Sequence, residues 1–140
     1  MTSPAQAVVY WDSSAILSAL FKDRHSARAA AAARTAGLHL LSSLAWAEVH
    51  AVIARIAREQ VLAGVLVEAA RETLEHGPWR RVTVAPDWRQ VGALASRWPL
   101  RGADLWHLGA AKTLQRELPA LRVLTFDARL AEAARAEGLA

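Results

Sequence analysis

The sequence predicts an α/β fold, a three-layer sandwich in which a small, mostly parallel sheet of four or five strands lies between helices. Three observations predict it. Short apolar, β-prone runs stop abruptly at turn residues or helix starts, at residues 8–11, 38–41, 81–85 and 121–125. Longer segments with apolar residues at helical spacing separate them. Strands that alternate with helices in this way pair in parallel, with the helices covering both faces. The chain of 140 residues is read as one domain, residues 1–140, long enough to bury a core.

The elements follow in order. The first strand ends in Asp12, and Ile16, Leu17, Leu20 and Phe21 then mark a helix over residues 13–21. Residues 22–26 break that pattern, and Asp23 or Ser26 can cap the Ala-rich helix that runs to about Thr35. Gly37 ends it before the second strand, and Ser42-Ser43 cap the next helix, residues 44–58. Another amphipathic helix spans 61–76 and stops at Gly77-Pro78; the third strand follows at 81–85. Pro86-Asp87 open a helix through Trp88, Val91, Leu94 and Ala95, which ends before Pro99. A long helix starts at residues 101–104 and runs to about Leu118, closed by Pro119. The fourth strand, 121–125, leads through Asp127 into the last helix, 128–137, with Gly138 as its stop.

Composition narrows the class of protein. More than half of the residues are apolar and charges are moderate, which describes a soluble globular chain. The absence of cysteine excludes a disulfide scaffold and a thiolate zinc site, and it fits a reducing cytoplasm. Residues 1–6 lack the basic and apolar regions of a signal peptide, and no apolar run approaches the ~20 residues that span a bilayer. The expected location is therefore cytoplasmic, away from membranes. A net charge of +4 suggests an anionic partner, nucleic acid first, although an Arg-, Ala- and Leu-rich composition also follows from a GC-rich genome.

Four carboxylates stand out. Asp12 and Asp127 each follow a strand and precede a helix, and Asp104 follows Gly102 at a helix start. Each alone reads as a helix cap. Two such residues at the ends of separate parallel strands, however, project over one rim, where ligands of open α/β sheets bind. Glu48 lies within the stripe of Ala45, Val49, Val52, Ile53 and Ile56, so it must be paired, with an Arg for example, protonated or bound to metal. If the four converge, repulsion decides the chemistry. Two carboxylates ~5 Å apart repel by roughly 3 kcal/mol at an effective dielectric near 20. Oxygen-only donors select a hard ion, and Mg²⁺ or Mn²⁺ suits an open site. Such an ion polarises a phosphate and activates water. The hydroxyls of Ser14 and Thr125 flank the set and can orient a carboxylate; Ser14 serves equally as a cap. His107, one turn after Asp104 on the same helix face, can donate a proton or contact phosphate, but a lone His reads first as a packing or surface residue. The six Trp residues read mainly as core or dimer-interface packing, with base stacking as the second use.

These residues resemble the PIN-domain family and, within it, the VapC-type toxins of bacterial toxin–antitoxin pairs. The resemblance rests on Val9-Tyr10-Trp11-Asp12-Ser13-Ser14-Ala15, on Ala47-Glu48-Val49, on residues 100–108 (LRGADLWHL) and on residues 124–134 (LTFDARLAEAA). It implies a PIN-like sheet flanked by helices and a Mg²⁺- or Mn²⁺-dependent endoribonuclease. The family's metal-site and catalytic acids correspond to Asp12, Glu48, Asp104 and Asp127, and its flanking polar residues to Ser14 and Thr125. It also implies RNA as substrate, a homodimer and a small cognate antitoxin. Trp11 and Trp106 are bulkier than is common at their positions. The expected reaction is in-line attack of a metal-activated water on the scissile phosphodiester, with Arg side chains positioning phosphates.

Two other classes compete. A nucleic-acid-binding or interaction module of the same fold would use the acids for a structural ion and show no turnover. A receiver-like phosphoacceptor lacks support, since Asp12 has no acidic neighbour and no Lys follows the last strand. A dinucleotide site is excluded by the absence of a Gly-rich turn after the first strand.

Overall fold

The computed structural model describes residues 6–140; the first five, part of the segment read for a signal peptide, lie outside the described residues. The strands are β1 (Ala7–Trp11), β2 (Gly37–Ser42), β3 (Trp79–Val82) and β4 (Leu121–Leu124). The helices are α1 (Ser13–Leu20), α2 (Ser26–Ala33), α3 (Ser43–Arg58), α4 (Gly64–His76), α5 (Trp88–Arg97), α6 (Gly102–Gln115) and α7 (Ala128–Ala136). All pairings are parallel, and the sheet has four strands in the order β3-β2-β1-β4. The α/β class is as expected, with four strands rather than five.

Side chains on a strand alternate between faces, and β1 shows the result. Val8 and Tyr10 join the core formed with Leu94 of α5, Leu108 of α6 and Leu130 of α7. Val9 and Trp11 join the opposite core, with Ile16 of α1, Ala29 of α2, Ile53 of α3 and Val67 of α4. The chain steps from β1 to β2 to β3 in one direction, and β4 then pairs on the other side of β1. Crossovers before and after that reversal cover opposite faces, which opens a crevice beyond the carboxyl ends of β1 and β4. The backbone N–H of Asp12 donates to the Leu124 carbonyl at 3.2 Å and ties those two ends together.

Several boundaries differ from expectation. β3 lies at Trp79–Val82 rather than 81–85. It pairs from His39↔Trp79 to Ser42↔Val82, and Trp79 packs edge-on against Trp11 with centroids 5.4 Å apart. Beyond Ser42 the neighbouring strand turns into α3, so residues 83–85 have no ladder to join. α4 begins at Gly64, not at 61, after Gln60 takes a left-handed turn at φ 52. Neither Asp23 nor Ser26 is the N-cap of α2; His25 is, without a side-chain cap bond. Asp23 and Ser26 instead bond each other's turn, the Asp23 N–H donating to Ser26 Oγ. Trp88 is 94% exposed and does not belong to the apolar face of α5. Among the described residues no helix is long and apolar enough to cross a membrane.

Gly37 does not cap the preceding helix but opens β2, at φ +146, where a Cβ would lie 2.4 Å from the Ala7 carbonyl oxygen. Gly37→Ala is therefore expected to destabilise the fold by more than about 1 kcal/mol. Urea denaturation checks this; an unchanged midpoint would contradict it.

Candidate active site

Asp12 follows the last residue of β1 with an extended backbone, and its carboxylate caps α1 by accepting the Ala15 N–H at 2.9 Å. The cap reading is thus correct, and incomplete. Oδ1 also accepts from Ser14 Oγ at 2.7 Å, and Oδ2 accepts from Thr125 Oγ1 at 2.5 Å. A carboxylate offers about four lone-pair positions, so these three donors leave one, on Oδ2. Asp12 is only 2% exposed. Burial pushes its carboxyl above the usual carboxylate range, while the bonds from Thr125, Ala15 and Ser14 pull it down.

The two hydroxyls join β1 to the end of β4. Ser14 Oγ accepts from the Phe126 N–H at 3.0 Å, and Thr125 Oγ1 accepts from the Asp127 N–H at 3.1 Å. Both hydroxyl protons go to Asp12, so the 3.4 Å approach of Ser14 to Thr125 is contact without a proton of its own. Asp127 is exposed and caps α7, its Oδ1 accepting from the Leu130 N–H at 3.0 Å.

Asp104 does not cap α6. Arg101 occupies the N-cap, and Asp104 stands in the first turn, where the helix dipole favours an anion. Its carboxyl is nevertheless raised above the ordinary range. Burial is the largest cause, followed by repulsion from Asp127, Asp12 and Glu48, with the His107 ring opposing. Asp104 therefore stands within reach of the charges of the other three acids. Leu100, Arg101, Asp104, Asp127 and Arg129 line a cleft of about 180 Å³ there. A larger cleft of about 670 Å³, around Gln60, Val61, Gly64 and Val67, lies between the end of α3 and the start of α4 and contains none of these acids.

Glu48 differs most from expectation. Its side chain is 31% exposed, so it sits at the margin of the α3 stripe rather than inside it. Its partner is His107, not an Arg: the ring Nε2 lies 2.8 Å from Glu48 Oε1. His107 is 1% exposed, and its Nδ1 lies 2.6 Å from the Tyr10 hydroxyl. Tyr10 is buried, and burial raises its hydroxyl above the ordinary value. A sequence pattern does not link residues 10, 48 and 107, and the only signal for His107 was its place one turn after Asp104. Arg101 and Arg129, beside the acids, were likewise not singled out.

The tryptophans divide. Trp11 is fully buried in the α1–α4 core and donates its Nε1–H to His39 Nδ1 at 3.0 Å, so it does not shape the rim. Trp106 packs, half-buried, against the opposite core.

Among the described residues no three His, Asp or Glu side chains are gathered closely enough to hold a metal ion. Oδ1 of Asp12, Oε1 of Glu48 and Oδ1 of Asp127 are each held by a protein donor. Each residue keeps a second oxygen with a free lone pair. An anionic, oxygen-only donor set of this kind suits a hard divalent cation.

A family model for the PIN domain matches residues 9–136 of the chain. Comparison with curated proteins finds no match.

The raised carboxyl of Asp104 has a consequence for stability. The folded state holds this proton more tightly than the unfolded chain does, so ionisation costs the folded state. The associated stability is present below the ordinary value of 3.8 and is lost as pH rises through the higher folded-state value. Asp104→Asn is expected to raise the melting temperature at pH 7, with the gain shrinking as pH falls towards that range. Melting curves across pH check this; a variant less stable than wild type at pH 7 would contradict it.

Proposed function

The chain belongs to the PIN domain family, whose members are typically metal-dependent nucleases, and from that premise we propose that it is a Mg²⁺- or Mn²⁺-dependent endoribonuclease acting as the toxin of a toxin–antitoxin pair. The observation that carries this reading is the placement of Asp104 and Asp127 on one cleft, with Asp12 bonded through Ser14 and Thr125 to the turn that holds Asp127. Asp12 through Oδ2, Asp104 and Asp127 would hold the ion, with Glu48 beside them. When bound, a divalent ion supplies Lewis-acid polarisation of the phosphate and a water that can attack at neutral pH.

The chain's own residues do the rest. Ser14 and Thr125 fix the orientation of the Asp12 carboxylate at the end of β1. Glu48 offers its second oxygen to orient the attacking water along the line of the scissile bond. Arg101 and Arg129, on the same cleft, present guanidinium forks to the phosphates of the substrate strand. The net charge of +4 draws a polyanion towards them.

The four matching segments named above support the toxin role, with a small cognate antitoxin and a second copy of the chain as partners. Val61, Val65 and Leu66, each more than half exposed around the start of α4, support a protein partner.

Purified protein incubated with total cellular RNA tests the reading. Discrete fragments are expected with Mg²⁺ or Mn²⁺ and not with EDTA. Losing even an outer partner of a metal ligand costs roughly 10–100-fold, so Asp12→Asn and Asp104→Asn are each expected to cut cleavage at least about 100-fold. Undiminished metal-dependent cleavage by both variants would contradict the assignment. RNA binding without cleavage at any metal concentration would favour a non-catalytic module. Arg101→Ala with Arg129→Ala is expected to raise KM and flatten the salt dependence of RNA binding while kcat is largely kept. Equal salt slopes would remove these two residues from the phosphate path.

A further inference from the structure

One buried polar chain serves the site without lining it. Tyr10 stands on β1, two residues before Asp12, and turns into the core shared with α6. His107 stands on α6, one turn after Asp104. The ring bridges them: one nitrogen meets the Tyr10 hydroxyl at 2.6 Å and the other meets Glu48 at 2.8 Å. The proton positions follow from the partners. An ionised carboxylate only accepts, so His107 Nε2 carries the proton. In the tautomer that carries its proton on Nε2, Nδ1 is an acceptor, and the Tyr10 O–H fills it. A ring that is 1% exposed is shut off from bulk solvent, so these two protein partners meet it on both nitrogens.

The geometry ties three elements together. β1 carries Asp12 and Tyr10, α6 carries Asp104 and His107, and α3 carries only Glu48. Without the imidazole, Glu48 would hang from α3 on a flexible side chain that is 31% exposed. With it, Oε1 is fixed and Oε2 is the oxygen left for the crevice. A Leu in place of His107 would fill much of the same space without a polar group, so packing alone does not account for the ring.

We propose that His107 is a positioning residue: its Nε2–H pins one oxygen of Glu48 so that the other is presented to the acid crevice, and Tyr10 holds the ring in the tautomer that does this. The role rests on the metal-dependent reading above, and the test separates the two. Nitrogen-15 NMR of the His107 ring in the metal-free protein is expected to show Nε2 protonated; an unprotonated Nε2 would overturn the proposal whatever the protein does with metal. Mn²⁺ titration followed by electron paramagnetic resonance reads the consequence. His107→Leu is expected to weaken Mn²⁺ binding about 10–100-fold, and Tyr10→Phe by a smaller factor. His107→Gln, whose amide can donate to Glu48, is expected to recover most of the loss. Tyr10→Phe keeps nearly all of the ring volume, so it remains informative if His107→Leu does not fold. Folded Leu and Phe variants that bind Mn²⁺ as wild type does would overturn the positioning role. A wild type that binds no Mn²⁺ would instead overturn the metal reading, leaving the ring's protonation to decide the hydrogen-bond arrangement.

Discussion

The hydrogen bond from Thr125 to Asp12, 2.5 Å long, is the interaction on which the rest depends. It closes the carboxyl ends of β1 and β4 at the point where the strand order reverses. A buried carboxylate in that place carries a penalty of several kcal/mol. Three hydrogen bonds to a charged group, worth roughly 1.5–3 kcal/mol each, offset part of it, and burial still leaves the carboxyl above its ordinary range. The same bonds start α1 at Asp12 and, through the Asp127 N–H on Thr125, lead into α7. Asp12 is therefore structural without being saturated: its cap and its bridge consume three acceptor positions and leave the fourth, on Oδ2, without a protein donor.

The rim built on that bridge is electrostatically costly. Asp104 is held where three other carboxylates repel it, and nothing in the core requires an acid there. Charged groups that raise one another's proton affinity in a cleft are what functional sites collect. The two apolar cores, one on each face of the sheet, supply the stability that tolerates this. Rigid elements rather than loops carry every acid: Asp12 and Asp127 cap helices, and Asp104 and Glu48 lie within them.

Local patterns made much of this visible in the sequence. The strand that stops at Asp12, the caps at Ser42, Asp87 and Asp127, and the Gly138 stop all depend on neighbours within a few residues, and each is observed. What failed depends on distant partners. The β3 boundary is set by where β2 ends and by Trp11, over 60 residues earlier in the chain. Glu48 looked buried because its neighbours at helical spacing are apolar, yet its side chain leaves the stripe to meet a histidine from α6. Helical periodicity assigns a face but not the margin of that face. His107 and Tyr10 each look like core residues, and they are; their function lies in a ring-to-hydroxyl contact that no spacing encodes.

The proposed function requires that Asp12, Asp104 and Asp127, from three separate parts of the fold, hold one cation at the ends of β1 and β4, with Glu48 of α3 beside them. Crystals grown with Mn²⁺, with the ion located by its anomalous scattering, test it most directly. An ion is expected among the carboxylate oxygens of Asp12, Asp104 and Asp127, with Glu48 still bonded to His107. Mn²⁺ bound elsewhere, or a folded protein with no ion among these acids at saturating Mn²⁺, would contradict it.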